Sequence, residues 1–587
     1  MNEALTHIAI LSAKPNSAKQ RETAVMYLIA GWQSDHARDQ DYPNRCCRVE
    51  AGYNGCRFRS QEENSDPSDS VVTRTTRLSV PVILLAQFAF FAFVALHRFI
   101  DADEGSYLLA SRLVLLNKKP YLDFFYNQAP LLPYVYGAWL KLTGTSWISA
   151  KIFSAALTSL VGTLLYVDVW RRTQRMLAGT AAAILFVSST LVFAWFPLVK
   201  TYSLSGLFLF SAYVLTGCVS KVSAPWRAAC GGLLFGLSVD TRSYLILVLP
   251  VFLWWILQNS DTTSKKASSL WFLLGLAIAL VPSGLLFLSS PDRFLFDNLT
   301  YHSMRSSGGL IGWWLEKFVI ALQLFLGGGE ANGLQWSILF FVSLGLLVAF
   351  AERPQSPRFA LQIAIALSLI CLLPTPAYLQ YFCLCVPFLI VSAVCLVTEF
   401  YRSIESSRER RWVASACAIL ILVYLAASAS DFRRYLITGN DVPGAKAAPD
   451  RGDWTLPRVL KVSAAIDGIA GSGEVVASFW PGDIFQTEAE PFPGFENPFG
   501  MPVAAKLTDD QRVRYHIVSS SQVKADFAAC RPRVVVLRDQ IISPASAEAH
   551  GSIWQRGDEF RNVLVAHGYQ RVRSIGGISI YVCASAP

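Results

Sequence analysis

Charge is what this chain has least of: only 16% of its 587 residues are Asp, Glu, Lys or Arg, where a soluble domain carries about a quarter. Apolar residues make up 53% and the mean hydropathy is +0.38, so a charge-coated soluble globule is excluded and a polytopic membrane protein is implied. The surplus of basic residues, a net +9, does not make a nucleic-acid face, because Lys and Arg are dispersed over short loops instead of gathered on one stripe. A signal peptide is also missing. Residues 1–75 show no apolar core flanked by basic residues and a small-residue cleavage site, and a disordered or non-native tail is expected there. Beside Cys46, Cys47 and Cys56 no fourth ligand stands at zinc-finger spacing, which favours free thiols over a metal site. A phosphate loop is lacking too, since Gly471-Ser472-Gly473 precedes a strand and has neither the lysine nor the following helix.

Long hydrophobic runs are abundant. Eleven, each about 17 to 22 residues and so long enough to cross hydrocarbon, begin near Val80, Ala150, Leu177, Leu204, Ala228, Ser243, Ser269, Gln335, Ala360, Leu379 and Val413. The pair at Ala228 and Ser243 is nearly continuous and predicts a hairpin with Asp240-Thr241-Arg242 at its tip. With the amino terminus cytoplasmic, inner loops hold Arg171, Arg172, Arg175, Lys221, Arg227, Lys265, Lys266, Arg353, Arg358, Arg402, Arg408, Arg410 and Arg411, against Lys200 and Arg242 in the short outer ones. That asymmetry orients the bundle. It requires Trp313 to Leu326 to be an interfacial or re-entrant piece of a long outer loop, residues 290–334. An odd span count then leaves the carboxyl terminus outside. Residues 76–430 form the membrane domain in this reading, with the first outer loop at 100–149.

After Asp431 the pattern changes to that of an extracytoplasmic α/β domain, residues 431–587. Strands are predicted at Glu474 to Phe479, Tyr515 to Ser519, Val534 to Leu537 and Ile578 to Val582, and helices at Leu456 to Ile469, Ser521 to Ala529 and Ile553 to His567, the last stopped by Gly568. Seven of the 12 cysteines lie in apolar runs and act as small hydrophobes. Cys530 and Cys583 flank strands, where an oxidising compartment could join them.

The most informative stretch runs from Ile100 to Tyr136, IDADEGSYLLASRLVLLNKKPYLDFFYNQAPLLPYVY. Asp101, Asp103 and Glu104 lie within four positions, and Asp123 follows on a second aromatic segment. These carboxylates sit at a membrane surface, where a lipid-borne substrate presents its head group.

Together with LVKTY, GLSVDTRSYL, NLTYHSMRS and AYLQYFCLCVPFL, this stretch resembles the polyprenyl-phosphate-sugar-dependent glycosyltransferases of the GT-C superfamily, nearest the bacterial protein-mannosyltransferase-like and aminoarabinose-transferase-like members. The likeness covers roughly residues 80 to 430. It implies a polytopic GT-C-like bundle in a bacterial inner membrane, a polyprenyl-phosphate-linked sugar donor, a glycan, lipid or protein acceptor and contact with membrane lipids. No cofactor is expected, and a divalent cation stays open. Asp103 matches the family's catalytic base, Glu104 matches its neighbour, and Asp101 could substitute in the role. Asp123, in Tyr121-Leu122-Asp123-Phe124, matches a second acidic position. The chain departs from the aminoarabinose transferases at Asn127-Gln128, where those carry an acid and a lysine. With Gln128 in place of that lysine, Lys200, Arg242, His302 and Arg305 are the cations left to meet a donor phosphate.

The chemistry fits these residue types. A carboxylate within about 3 Å of an acceptor hydroxyl can take its proton, and fixed Lys or Arg groups stabilise a departing phosphate. Plainer roles compete. Asp101, Asp103 and Glu104 could cap a helix starting near Gly105, Lys200 and Arg242 could snorkel to the interface, and His302 and Arg305 could be loop residues. Tyr107, Tyr121, Phe124, Phe125, Tyr126, Tyr134 and Tyr136 suit an interfacial belt. A transporter would hold ionisable residues near the bilayer midplane, and an oligosaccharide polymerase or ligase is a nearer alternative. Trp480-Pro481-Gly482-Asp483 is not the Trp-Trp-Asp-Tyr-Gly signature of an oligosaccharyltransferase.

Overall fold

A computed structural model describes residues 67–217, 225–259, 265–305, 309–326, 333–349, 356–374, 377–438, 454–538 and 557–584. Cys46, Cys47, Cys56, Lys221 and Arg353 lie outside the described residues. In chain order the main helices are α1 (Pro67–His97), α2 (Ala102–Leu115), α3 (Leu131–Thr143), α4 (Trp147–Thr173), α5 (Met176–Val187), α6 (Thr201–Gly217), α7 (Pro225–Thr241), α8 (Ser243–Asn259), α9 (Lys265–Ala279), α10 (Val281–Ser289), α11 (Gly309–Leu326), α12 (Gly333–Ala349), α13 (Ser356–Ile370), α14 (Val386–Ser403), α15 (Ser407–Thr438) and α16 (Leu456–Asp467).

Every one of the eleven apolar runs falls on a helix. Among the described residues four helices are long and apolar enough to cross a membrane: Leu78–His97, α4, Leu379–Ser403 and Ser407–Ala429. The 27 residues of α4 extend about 40 Å at the helical rise, more than the roughly 30 Å of hydrocarbon. A fifth span arises if α9 and α10 count as one; they meet at a 50° bend. Pro282 at the start of α10 supplies the cause, since a proline removes a backbone donor at the break. α5, α8, α12 and α13 are apolar but shorter. α11 covers Trp313 to Leu326 and turns Trp314, Leu315 and Phe318 outward.

The bundle is packed on small residues. A Cβ on Gly232 of α7 would stand 1.8 Å from the Phe272 carbonyl oxygen of α9, and one on Gly275 1.9 Å from that of Ala229. Glycine at both places lets the two backbones touch, the usual means of adhesion where lipid offers no hydrophobic drive between helices.

Beyond α16 the chain builds a five-stranded sheet in the order β2-β1-β3-β5-β4. β1 (Val475–Ser478) lies parallel to β2 (Glu490–Pro491) and β3 (Val534–Arg538), while β5 (Ile578–Cys583) runs antiparallel to β3 and to β4 (Tyr569–Ile575). β1, β3, β5 and α16 match the predicted elements closely. The helices predicted at Ser521 and Ile553 span Ser520–Ala528 and Gly557–Ala566, residues 553–556 lying outside the described residues. The strand expected at Tyr515 to Ser519 is not one: Tyr515 stacks at 3.8 Å on Phe296 and Ile517 is buried, so the apolar alternation serves docking, not a ladder. β4 was invisible because its Gln570, Arg571, Val572, Arg573 and Ser574 are all exposed on an edge, which leaves no alternation to detect. Cys530 and Cys583 are joined, their Cα atoms 5.8 Å apart.

Candidate active site

α2 begins at Ala102, three residues before the expected start, and Asp101 is its N-cap. The Asp101 Oδ1 accepts from the Asp103 amide at 3.0 Å, and Glu104 Oε1 accepts from the Asp101 amide at 2.8 Å, a reciprocal capping box. All three acids thereby stand on the first turn, where the helix dipole favours negative charge.

They do not stand alike. Glu104 is fully buried, held by Lys151 Nζ at 2.9 and 3.2 Å and by the Val199 amide at 3.1 Å. Paired with Asp103 on sequence grounds, it is enclosed by donors and faces no open space. Lys200, buried just before α6, is 2.8 Å from Asp101 Oδ1 and 2.8 Å from Asp103 Oδ2. Burial pushes the Asp101 carboxyl up, but the Lys200 ammonium outweighs it and holds the group below its ordinary range. Asp103 keeps 41% of its side chain exposed against 20% for Asp101. It is the acid of the triplet most open to a substrate.

Arg242 is the turn between α7 and α8. Far from an exposed hairpin tip, it is buried, donating to Thr201 Oγ1 and Tyr244 Oη at 2.5 Å each. Its guanidinium lies 4.6, 4.8 and 4.7 Å from the ring centroids of Tyr202, Tyr244 and Tyr381. Arg305 is half-buried and 5.6 Å from the Tyr301 ring centroid. Among the described residues neither guanidinium has a carboxylate partner, although a buried cation is costly without one.

Electrostatics tie these groups into one cluster. The Tyr107 hydroxyl is pushed up by burial and then by the Asp103 carboxylate, with Lys200 and Arg242 pulling it back. Tyr301 and Tyr378 are likewise raised by burial, while Arg305 opposes and Asp103 reinforces the shift. Of the first-loop aromatics Tyr107 thus borders the cluster, and Tyr121, Phe124, Phe125, Tyr126 and Tyr136 are core residues rather than the interfacial belt expected, only Tyr134 being exposed.

His302 donates through Nε2 to the Asn127 carbonyl at 3.0 Å. Burial and then Arg305 depress its pKa to about 4, so it is a neutral donor and not a phosphate-binding cation. Asp123 is exposed and closes a turn by accepting from the Lys119 amide at 2.6 Å. Among the described residues no hydrogen bond or ion pair joins it to the triplet. Tyr121, at φ +70° and 1% exposed, donates to the Gln128 carbonyl at 2.7 Å. Tyr121 and Gln128 therefore close the loop that contains Asp123. Among the described residues no three His, Cys, Asp or Glu side chains could hold a metal ion.

An almost wholly apolar groove of about 350 Å³ includes Asp240 and Ser243, on either side of Arg242 in the α7–α8 turn. Pro130, Leu280, Phe287, Phe294 and Leu299 line it, with Asp240 bonded to Ser283 as its one charged group.

Sequence reasoning missed Lys151, Trp480 and the tyrosine cage around Arg242. Lys151 had a signal, as the lone cation within the apolar run of α4. Trp480 had none, because its partners are remote in the chain.

The bundle, with acidic α2 at its edge and an appended α/β part, has the GT-C fold of a polytopic membrane protein by its likeness to solved structures. The chain is similar to two structures of ArnT from Cupriavidus metallidurans, one in the apo state and one bound to undecaprenyl phosphate. At 13% identity each covers 86% of this chain, and 98% and 99% of theirs, with TM-scores of 0.58 and 0.55. No family model matches, and no curated protein matches.

Proposed function

We propose that the chain is an inverting glycosyltransferase that moves a sugar from a polyprenyl-phosphate donor to an acceptor hydroxyl on the outer face of a bacterial inner membrane. One observation carries the reading: Asp103, a part-exposed carboxylate, is bonded to Lys200, whose neighbour Thr201 accepts from Arg242, a guanidinium that like Arg305 has no carboxylate partner among the described residues. Asp103 takes the proton of the acceptor hydroxyl as its oxygen bonds to the anomeric carbon from the face opposite the phosphate. The bond from that carbon to the phosphate oxygen breaks, the electron pair stays on the polyprenyl phosphate, and the configuration inverts. Arg242 and Arg305 meet the leaving charge, which relieves their own lack of an anion. Lys200, already shared by Asp101 and Asp103, orients the base. The apolar groove suits the isoprenoid chain of the donor, and a donor delivered by lipid explains why the site sits at the ends of spans. The Cys530–Cys583 bridge supports an oxidising, extracytoplasmic setting for the α/β part.

The experiment is Asp103→Asn in purified protein supplied with polyprenyl-phosphate sugars. Transfer should fall about 100-fold or more at unchanged membrane accumulation, and activity within about twofold of the parent would remove Asp103 from the role.

A further inference from the structure

The turn that carries Asp103 is gripped at one backbone atom by the α/β part. Trp480 Nε1 donates at 2.8 Å to the carbonyl of Ala102, the residue between the two aspartates that hold Lys200. The indole is only 1% exposed and is itself fixed. Trp147 stacks on it at 5.7 Å, Trp454 meets it edge-on at 4.8 Å, and the Arg538 guanidinium lies 4.6 Å from its ring centroid. Arg538 is anchored in turn by a buried ion pair with Asp483.

The contact runs along one face of α2. A Cβ on Gly105 would come within 2.6 Å of the Gly482 nitrogen and 2.8 Å of Trp480 Cε2. Glycine inside a helix costs roughly 0.5–1 kcal/mol against alanine, and here it is what allows the approach. Seven residues on, Arg112 donates to the carbonyls of Ile484 and Ala489 at 2.8 and 2.7 Å. Positions 102, 105 and 112 share a helix face, so the segment from Trp480 to Ala489 follows α2 over most of its length.

We propose that Trp480 is a positioning residue for Asp103, passing the rigidity of the sheet to the acid through the Ala102 carbonyl. The inference rests on the function proposed above, because a base must be held closely and among the described residues the side-chain partner of Asp103 is Lys200 alone. Its backbone is the other handle, and Trp480 takes hold of the residue next to it. Glu104 and Lys151 secure the opposite side of the same turn.

Trp480→benzothienylalanine keeps the shape and replaces only the N–H by sulfur; Trp480→Phe is the genetically simpler companion. With the benzothienyl variant kcat should drop about 10-fold while donor and acceptor KM stay within about twofold. Amide exchange over residues 101–107 should quicken about fivefold or more, at an unchanged melting temperature. Unchanged exchange, or a loss confined to donor KM, overturns the proposal. Exchange reads the grip without any sugar transfer. Faster exchange in a protein whose Asp103→Asn variant stays active would sink the assigned base and leave the grip standing. Should Trp480→Phe fail to accumulate, the benzothienyl variant decides alone.

Discussion

At the residue scale, solvation separates groups that look interchangeable in sequence. Three acids within four positions divide into an enclosed Glu104, a capping Asp101 and an open Asp103. Four candidate cations divide as sharply: Lys200 is paired with two carboxylates, burial and Arg305 hold the His302 pKa down, and Arg242 and Arg305 have no carboxylate partner among the described residues. Neutralising Arg242 or Arg305 should therefore raise the donor KM about 10-fold or more, the worth of one charge-assisted contact, while His302→Asn leaves it near the parent value. Steady-state kinetics in nanodiscs with varied donor checks this. An unaltered donor KM in both arginine variants would make them wall residues. The family resemblance pointed to Asp103 within the acidic triplet, but nothing in the sequence pointed to the enclosure of Glu104, which depends on Lys151 at a separation of 47 residues.

At the scale of elements, α2 is a short helix held between two supports. Below it the Glu104–Lys151 pair is wholly buried, so removing one partner strands a charge. Glu104→Gln should cost about 3 kcal/mol, within the range for a broken buried pair. The double change Glu104→Met with Lys151→Met should cost less than either single change to Met. Thermal unfolding of the three proteins in detergent tests the coupling, and additive losses would show that the pair is not a unit. The sequence reading placed the start of this helix near Gly105 with the three acids as its caps, whereas the capping box sets it at Ala102 with Asp101 as the N-cap. Periodicity located α16, β1, β3 and β5, whose apolar faces are plain, and missed β4, whose exposed residues carry no pattern. Where Tyr515 and Ile517 dock on Phe296, alternation misled.

At the scale of the whole molecule, composition was enough for the class, since so little charge and so many apolar runs leave only a membrane bundle. Orientation rests on the bias of basic residues. An impermeant thiol reagent should label single cysteines placed near Asp103, Lys200, His302 and Glu474, and not those near Arg172, Lys265 or Arg410. Labelling on both sides of α11 would show whether it is re-entrant, and labelling near Lys265 from outside would reverse the topology. Which residues of the two parts meet could not be read from sequence, because Trp480 and Ala102 are 378 positions apart.

That meeting limits how the chain can be rebuilt. Gly105 against Gly482 admits no added carbon, and Arg112 spends its guanidinium on two carbonyls of the same strip. The sheet is therefore no interchangeable module hung on a membrane bundle. A chimera that borrowed a foreign α/β part would inherit a seam that fits only its own α2, and a working graft has to transplant the segment from Trp480 to Ala489 together with the helix it clasps.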